Sequence, residues 1–213
     1  MSAGARILLV GAGGHARVVI EALQDEPANT IVGAVSDDGS GLPDLGIPML
    51  GTTDELDRIA GEHGVDAVCI AVGNNAARAR IAADVGDHGF DLATARSAYA
   101  VVSPTATVGA GSHLLPGSVV NAATRLGAGT IVNTNASIDH DGDVGDFVHI
   151  APGVAIGGAV RIGDRTFVGI GARILPGLAL GADVIVGGGA VVVSDVPAGT
   201  TVVGIPARPV EQR

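Results

Sequence analysis

The chain has 213 residues, room for one large domain or two small ones, and only 2% of them are aromatic, so a core must be built from Val, Ile, Leu and Ala. A net charge of −10, with every basic residue an arginine, argues against nucleic acid or an anionic membrane as partner and excludes a lysine Schiff base or a P-loop lysine. A single cysteine, Cys69 in the apolar run DAVCIAVG, excludes an internal disulfide and a cysteine-built zinc site, and reads as a small buried hydrophobe.

The N-terminus MSAGARILLVGAGG lacks a charged leader followed by a long apolar stretch, and no run of about 18 apolar residues lacks interruption. A cytoplasmic protein without a membrane segment is expected. RILLVGAGGHARVVIEALQ (6–24) predicts strand, glycine turn and helix, and IVGAVSDD (31–38) a second strand ending in two carboxylates. TDELDRIAGEHG predicts a helix, DAVCIAVG a strand and NNAARARIAADVGDHG another helix. This alternation predicts a small Rossmann-like parallel α/β domain over residues 1–100. Gly11, Gly13 and Ala16 match G-x-G-x-x-A, with Asp37 and Asp38 further on, as in a dinucleotide fingerprint. The domain has half the length of a full dinucleotide fold. A ligand with a diphosphate and a nucleoside therefore fits the helix-start N–H groups as well as NAD does.

From Val102 the period changes. Every sixth residue is aliphatic, without insertion, from Val102 through Val108, Leu114 and Val120 to Val186 and Val192. A helix is excluded, because steps of six at 100° per residue fall on three separate faces. Glycines and β-branched residues also count against one. A strand-and-turn unit of six fits, and the frequent Gly, Asn or Asp just after each aliphatic suggests tight turns or positive φ. The second domain is expected over 101–213.

Repeats such as IGDRTF, VGIGAR and VGGGAV resemble the hexapeptide repeat of left-handed parallel β-helix acyltransferases. The ending GGGAVVVSDVPAGTTVVGIPARPV is similar to the tail of many such enzymes. The whole plan is a G-x-G-G-H-A-x-V turn, S-D-D, A-V-G-N-N, then a hexapeptide helix carrying D-H-D. It resembles the sialic acid O-acetyltransferase and bacillosamine N-acetyltransferase type (NeuD/PglD), whose plan the perosamine N-acetyltransferases share. The resemblance implies a homotrimer, an acetyl-CoA-binding β-helix and a small domain for a nucleotide-linked amino sugar. It implies that His140 is the general base and that Asp141 raises its basicity. His149, Ile170 and Gly188 would lie along the acetyl-CoA path, with Gly188 leaving room for the pantetheine arm. Gly13, Gly14, His15, Asp37, Asp38, Gly73 and Asn74 match nucleotide-sugar contacts, and Asn133 a position near the sugar.

The residue types suit that chemistry. His140 stands in the hexad IDHDGD at a corner position, and Asp141 can orient it only if the chain turns there, since neighbours on a flat strand face opposite ways. A free imidazole with a pKa near ~6.5 suits removal of a proton from an attacking amine, and a carboxylate fixes its tautomer. The thioester is already activated, so no nucleophilic enzyme intermediate is required. Gly158, eighteen residues after His140, is a candidate oxyanion donor through its N–H. The arginines at 161, 165, 173 and 208 are candidates for CoA phosphates. His63, His88 and His113 read as surface residues, and no metal site is expected. An acetyl-CoA-dependent N-acetyltransferase acting on the 4-amino group of a UDP- or GDP-linked 4-amino-4,6-dideoxyhexose is the leading expectation. Rivals are sialic acid O-acetylation, a non-catalytic nucleotide-sugar scaffold and an NAD enzyme.

Overall fold

The computed structural model describes residues 4–210, so the outermost residues of both expected domain spans lie outside it. The chain divides into two compact units between Ala98 and Tyr99.

The first unit is built on a parallel sheet of β1 (Arg6–Val10), β2 (Thr30–Val35), β3 (Met49–Gly51), β4 (Ala67–Ile70) and β5 (Asp91–Leu92) in the order β3-β2-β1-β4-β5. Ile7, Leu8, Leu9 and Val10 are all buried, as expected of a central parallel strand covered on both faces. Helix α1 (Gly14–Gln24) buries Ala16, Val19, Ile20, Ala22 and Leu23. A short 3-10 turn, Thr53–Glu55, leads into α2 (Leu56–His63), opened by a Thr52–Glu55 capping box and closed by Gly64 at φ 60°. Helix α3 (Asn75–Asp87) is capped by the Asn74 side chain, which accepts from the Ala77 N–H at 2.9 Å. The two strands absent from the sequence reading, β3 and β5, have three and two residues, too short to carry a period of their own. The strand read over 31–38 stops at Val35, which leaves Ser36, Asp37 and Asp38 in the connection beyond it. Cys69 is fully buried, and its thiol is pushed up to about 12, so it stays protonated and inert.

The second unit is a parallel β-helix of three faces. The first face runs from Val101–Val102 to Val191–Val192, the second from Thr107–Val108 to Ala179–Leu180, and the third from His113–Leu114 to Ile185–Val186 and on to Thr201–Val203. Each strand pairs in parallel with the strand one coil away, as Val119 with Ser137, Arg125 with Asp143 and Ile131 with His149. The six-residue aliphatics point inward and form one continuous core; from Leu114 to Val192 each is 3% exposed or less. Burying such a side chain contributes about 1.5–3 kcal/mol, so the column is the main force that closes the coil. With an N-terminal parallel α/β sheet followed by a left-handed β-helix, the fold is the one the sequence leads to.

The corners correct one detail. From Val108 to Val186, positive φ falls three residues after each inward aliphatic, as at Asn135, Asp141 and Ala159 (56–57°), not at the residue just after it. That geometry is the third residue of a type II turn. The glycine just after the aliphatic is needed for another reason, close stacking of coils: a Cβ on Gly169 would lie 2.6 Å from the Val186 carbonyl oxygen. Gly153, by contrast, has φ 68° and open space around it. Gly153→Ala is therefore expected to cost only the left-handed strain, about 1–2 kcal/mol. Gly169→Ala forces two coils apart and is expected to cost more, about 3 kcal/mol. Equilibrium denaturant unfolding of the two variants checks the order; equal losses would contradict the stacking argument.

Candidate active site

Residues Asp139–Gly142 form the corner between the first and second faces. His140 takes the second corner position and Asp141 the third, with φ 57°. That turn brings two sequence neighbours to the same side, and His140 Nδ1 lies 2.8 Å from Asp141 Oδ2. Asp139 braces the corner: its Oδ1 accepts from the His140 backbone N–H at 2.8 Å and from Asn121 Nδ2 at 3.2 Å. The coils on either side lock the register, with the Asp141 N–H donating to the Ala122 carbonyl at 2.9 Å and the Ala159 N–H to the His140 carbonyl at 2.8 Å. The hydrogen bond to Asp141, then the negative charge of Asp139, hold the His140 pKa above its ordinary 6.5. With the carboxylate at Nδ1, the neutral ring carries its proton there and presents the Nε2 lone pair outward.

Gly158 occupies the same corner one coil on. A Cβ built there would lie 2.7 Å from both Cε1 and Nε2 of His140, so the imidazole rests against a bare Cα. Among the described residues none accepts a hydrogen bond from the Gly158 N–H.

The other expected site residues of this unit lie elsewhere on the coil. Asn133, Ile170 and Gly188 stand at the corner between the third and first faces, and His149 on the third face itself. Asn133 Nδ2 is 3.2 Å from His149 Nε2, and the His149 ring meets Phe167 edge-on at 5.3 Å and 85°. Ile170 is 63% exposed beside Gly188, where an added Cβ would come 3.3 Å from Ile170 Cγ2. One chain therefore does not gather these four residues with His140, Asp141 and Gly158. Arg165 is held by Asp183 at 2.9 and 2.7 Å, which commits its guanidinium. Among the histidines read as surface residues, His113 is fully buried. His88 is exposed and lies 2.9 Å from Asp57. Among the described residues no group of three His, Cys, Asp or Glu could hold a metal ion, and no helix is long and apolar enough to cross a membrane.

In the first unit, a cleft of about 390 Å³ opens at the carboxyl ends of β1, β2 and β4, where the strand order reverses. It is lined by Gly11–His15 on one side, Ala71–Gly73 on another, and Ser36, Asp37, Asp38 and Thr53. Gly13, Gly14, His15, Asp37, Asp38 and Gly73 thus line one cleft, whereas Asn74 is not in the lining and its side chain caps α3. Thr53 escaped the sequence reading: its N–H and hydroxyl donate to the two oxygens of Asp37 at 2.8 and 2.7 Å. Ser36 and Ser40 do the same for Asp38 Oδ1, at 2.6 and 2.9 Å, and these bonds pull its carboxyl down to about 2. No local motif marks Thr53, because its partner is 16 residues away.

Residues 6–85 match the family model for the PglD N-terminal domain. A histidine-to-asparagine mutant of perosamine N-acetyltransferase from Caulobacter crescentus, in complex with CoA and GDP-perosamine, is 37% identical; 97% of each chain superposes, with a TM-score of 0.93. The chain belongs to the hexapeptide-repeat nucleotide-sugar N-acetyltransferases. The acetyltransferase domain of PglB from Neisseria gonorrhoeae, in complex with acetyl coenzyme A, is 38% identical over 97% of this chain and all of that one (100%), with a TM-score of 0.90. GDP-perosamine N-acetyltransferase from Escherichia coli O157:H7 is 34% identical over 144 residues, 65% of each chain. The chain spans 65% of the length of this curated relative and 22% of that of a putative acetyltransferase from Schizosaccharomyces pombe, to which it is 41% identical over 46 residues. As a member of this family the protein is an acetyl-CoA-dependent acyltransferase.

The corner geometry generates a direct check. The His140 imidazole is expected to titrate above pH 6.5 when followed by NMR, and Asp141→Asn to lower that midpoint by removing the largest cause of the shift. Asp139→Asn is expected to lower it less. A midpoint unmoved by Asp141→Asn would break the link between the turn and the basicity of His140.

Proposed function

We propose that the protein transfers the acetyl group of acetyl-CoA to the 4-amino group of a nucleotide-linked 4-amino-4,6-dideoxyhexose, with His140 as general base. The observation that carries this reading is the His140–Asp141 pair lying over Gly158. A GDP-linked sugar is favoured by relatives that act on or bind GDP-perosamine.

In the proposed reaction the amine nitrogen attacks the thioester carbonyl directly. The carbon–nitrogen bond forms, and the carbonyl oxygen takes up negative charge. In this reading the Gly158 N–H, which has no acceptor among the described residues, donates to that oxyanion. His140 Nε2 takes the proton from the cationic nitrogen, while Asp141 stabilises the imidazolium through Nδ1. Collapse of the intermediate breaks the carbon–sulfur bond, and the CoA thiolate leaves and is protonated.

The first-unit cleft takes the nucleotide part in this reading, with Gly13, Gly14, His15, Asp37, Asp38 and Gly73 around it. His149, Ile170 and Gly188 take the acetyl-CoA chain, with the bare Gly188 beside Ile170 giving the pantetheine arm its space. Asn133 serves the sugar. His149 lies on the third face and Asn133, Ile170 and Gly188 at the corner after it, away from the corner of His140, so in this reading a complete site needs a second copy of the chain. That requirement supports a homotrimer in which each site lies between neighbouring helices.

His140→Asn is expected to lower kcat by about 10²–10⁴-fold with little change in either KM. The proof of reaction is release of CoA thiol, with the acetyl mass gained by one of a panel of UDP-, GDP- and dTDP-linked 4-amino-6-deoxysugars. Because the base works in its neutral form, kcat/KM should fall as pH drops through the raised His140 value. The acid limb should move to lower pH in Asp141→Asn. Turnover at wild-type rate by the folded His140→Asn protein would remove His140 from its assigned role.

A further inference from the structure

Arg78 is 1% exposed and ranks first among the largest fully buried side chains. Burial lowers its pKa to about 10, so it remains a cation at neutral pH. A buried charge of this kind is costly unless its donors are engaged, and those of Arg78 are. Nη1 donates to the Val72 and Gly73 carbonyls at 3.0 and 3.2 Å, and Nη2 to Asn75 Oδ1 at 3.0 Å. Its backbone N–H donates to the Asn74 carbonyl at 2.9 Å. The side chain thus folds back from the first turn of α3 and gathers the whole connection from β4. Ala71, Val72 and Gly73 of that connection form one wall of the nucleotide cleft, yet Arg78 itself is not in the lining.

The charge has a second consequence. The cleft lining carries Asp37 and Asp38, with His15 as its nearest approach to a cationic side chain, in a chain of net charge −10. A diphosphate placed there meets like charge in front. The helix starts at Gly14 and Asn75 supply partial positive charge, and Arg78 supplies a full one behind the wall. Part-buried charges are weakly screened, so a cation one peptide layer away still acts on the ligand. We propose that Arg78 is a positioning residue for the phosphate-bearing ligand of this cleft: it holds the Val72–Asn75 wall in shape and sets the positive charge that offsets the cleft carboxylates.

This rests on the reading of the cleft as the nucleotide site, and the test separates the two. Wild type, Arg78→Met, Arg78→Lys and Asn75→Ala would each be titrated calorimetrically with GDP, UDP and dTDP and with the matching nucleosides. For the diphosphate that wild type binds, Arg78→Met is expected to lose about tenfold or more in affinity, since a charged hydrogen-bond donor is removed from two carbonyls. The bare nucleoside should lose clearly less. Arg78→Lys should recover most of the loss, and Asn75→Ala should show a few-fold loss. The sugar-nucleotide KM should rise in step while the acetyl-CoA KM stays unchanged, which a general loss of folding would not produce. Unchanged diphosphate affinity in folded Arg78→Met, or equal losses for nucleoside and diphosphate, overturns the proposal. If Arg78→Met does not fold, unchanged affinity in both Arg78→Lys and Asn75→Ala overturns it. A folded wild type that binds none of the three diphosphates refutes the nucleotide reading itself, and this proposal with it.

Discussion

The inward stack of aliphatics at an 18-residue spacing is the interaction on which the β-helix depends. Each of Ile138, Ile156 and Ile174 sits directly over the next, and the parallel backbone ladder carries that register outward to the corners. The placement of His140 over Gly158 follows from this register. A slip of one residue would turn the inward aliphatics to solvent and separate the pair at once. The geometry of the proposed base is thus enforced by packing away from the corner, in a core whose many small branched contacts leave little room for movement.

The corners then convert a rigid scaffold into chemistry. A left-handed residue after His140 folds the Asp141 carboxylate back to Nδ1, which a strand would not allow. The strained conformation is common to the corners, occupied in turn by Gly, Ala, Asn, Asp, Phe and Arg. The corner at 139–142 is therefore ordinary in backbone and special only in its side chains. The first unit follows a different physical rule. Its cleft is placed by the reversal of strand order, and its carboxylates are held by hydroxyls and N–H groups from neighbouring connections.

Much of this was legible in the sequence because the signals are periodic or local. The six-residue aliphatic column, the glycine turn at Gly11–Gly14 and the neighbouring pair His140–Asp141 all announce themselves within a few residues. What escaped was long-range. Thr53 meets Asp37 across 16 residues, and nothing in the local sequence singles out Arg78, whose side chain folds back to the Val72 and Gly73 carbonyls. His113 reads as a surface residue yet is fully buried, because burial is a property of the folded chain that a single histidine does not announce. The glycines that follow many of the aliphatics suggest turns in the sequence and serve another purpose in the fold. They answer to the coil stacked beside them, as Gly169 does to Val186, not to a turn of their own.

The sequence by itself determined a coil of six-residue strand-and-turn units and the neighbouring pair His140–Asp141, because a repeat imposes the same local energetics at every step. It also marked the glycine turn and the carboxylate pair Asp37 and Asp38, since strand, turn and helix starts are set within a short span, but it neither found Thr53 nor kept Asn74 out of the cleft. Only the tertiary structure decided which of those residues meet. It joined His140 to Gly158 and parted both from Asn133, Ile170 and Gly188, because a corner's edge depends on the closure of the whole prism. It also turned Arg78 inward, because a buried cation finds its partners only where the folded chain gathers carbonyls around it.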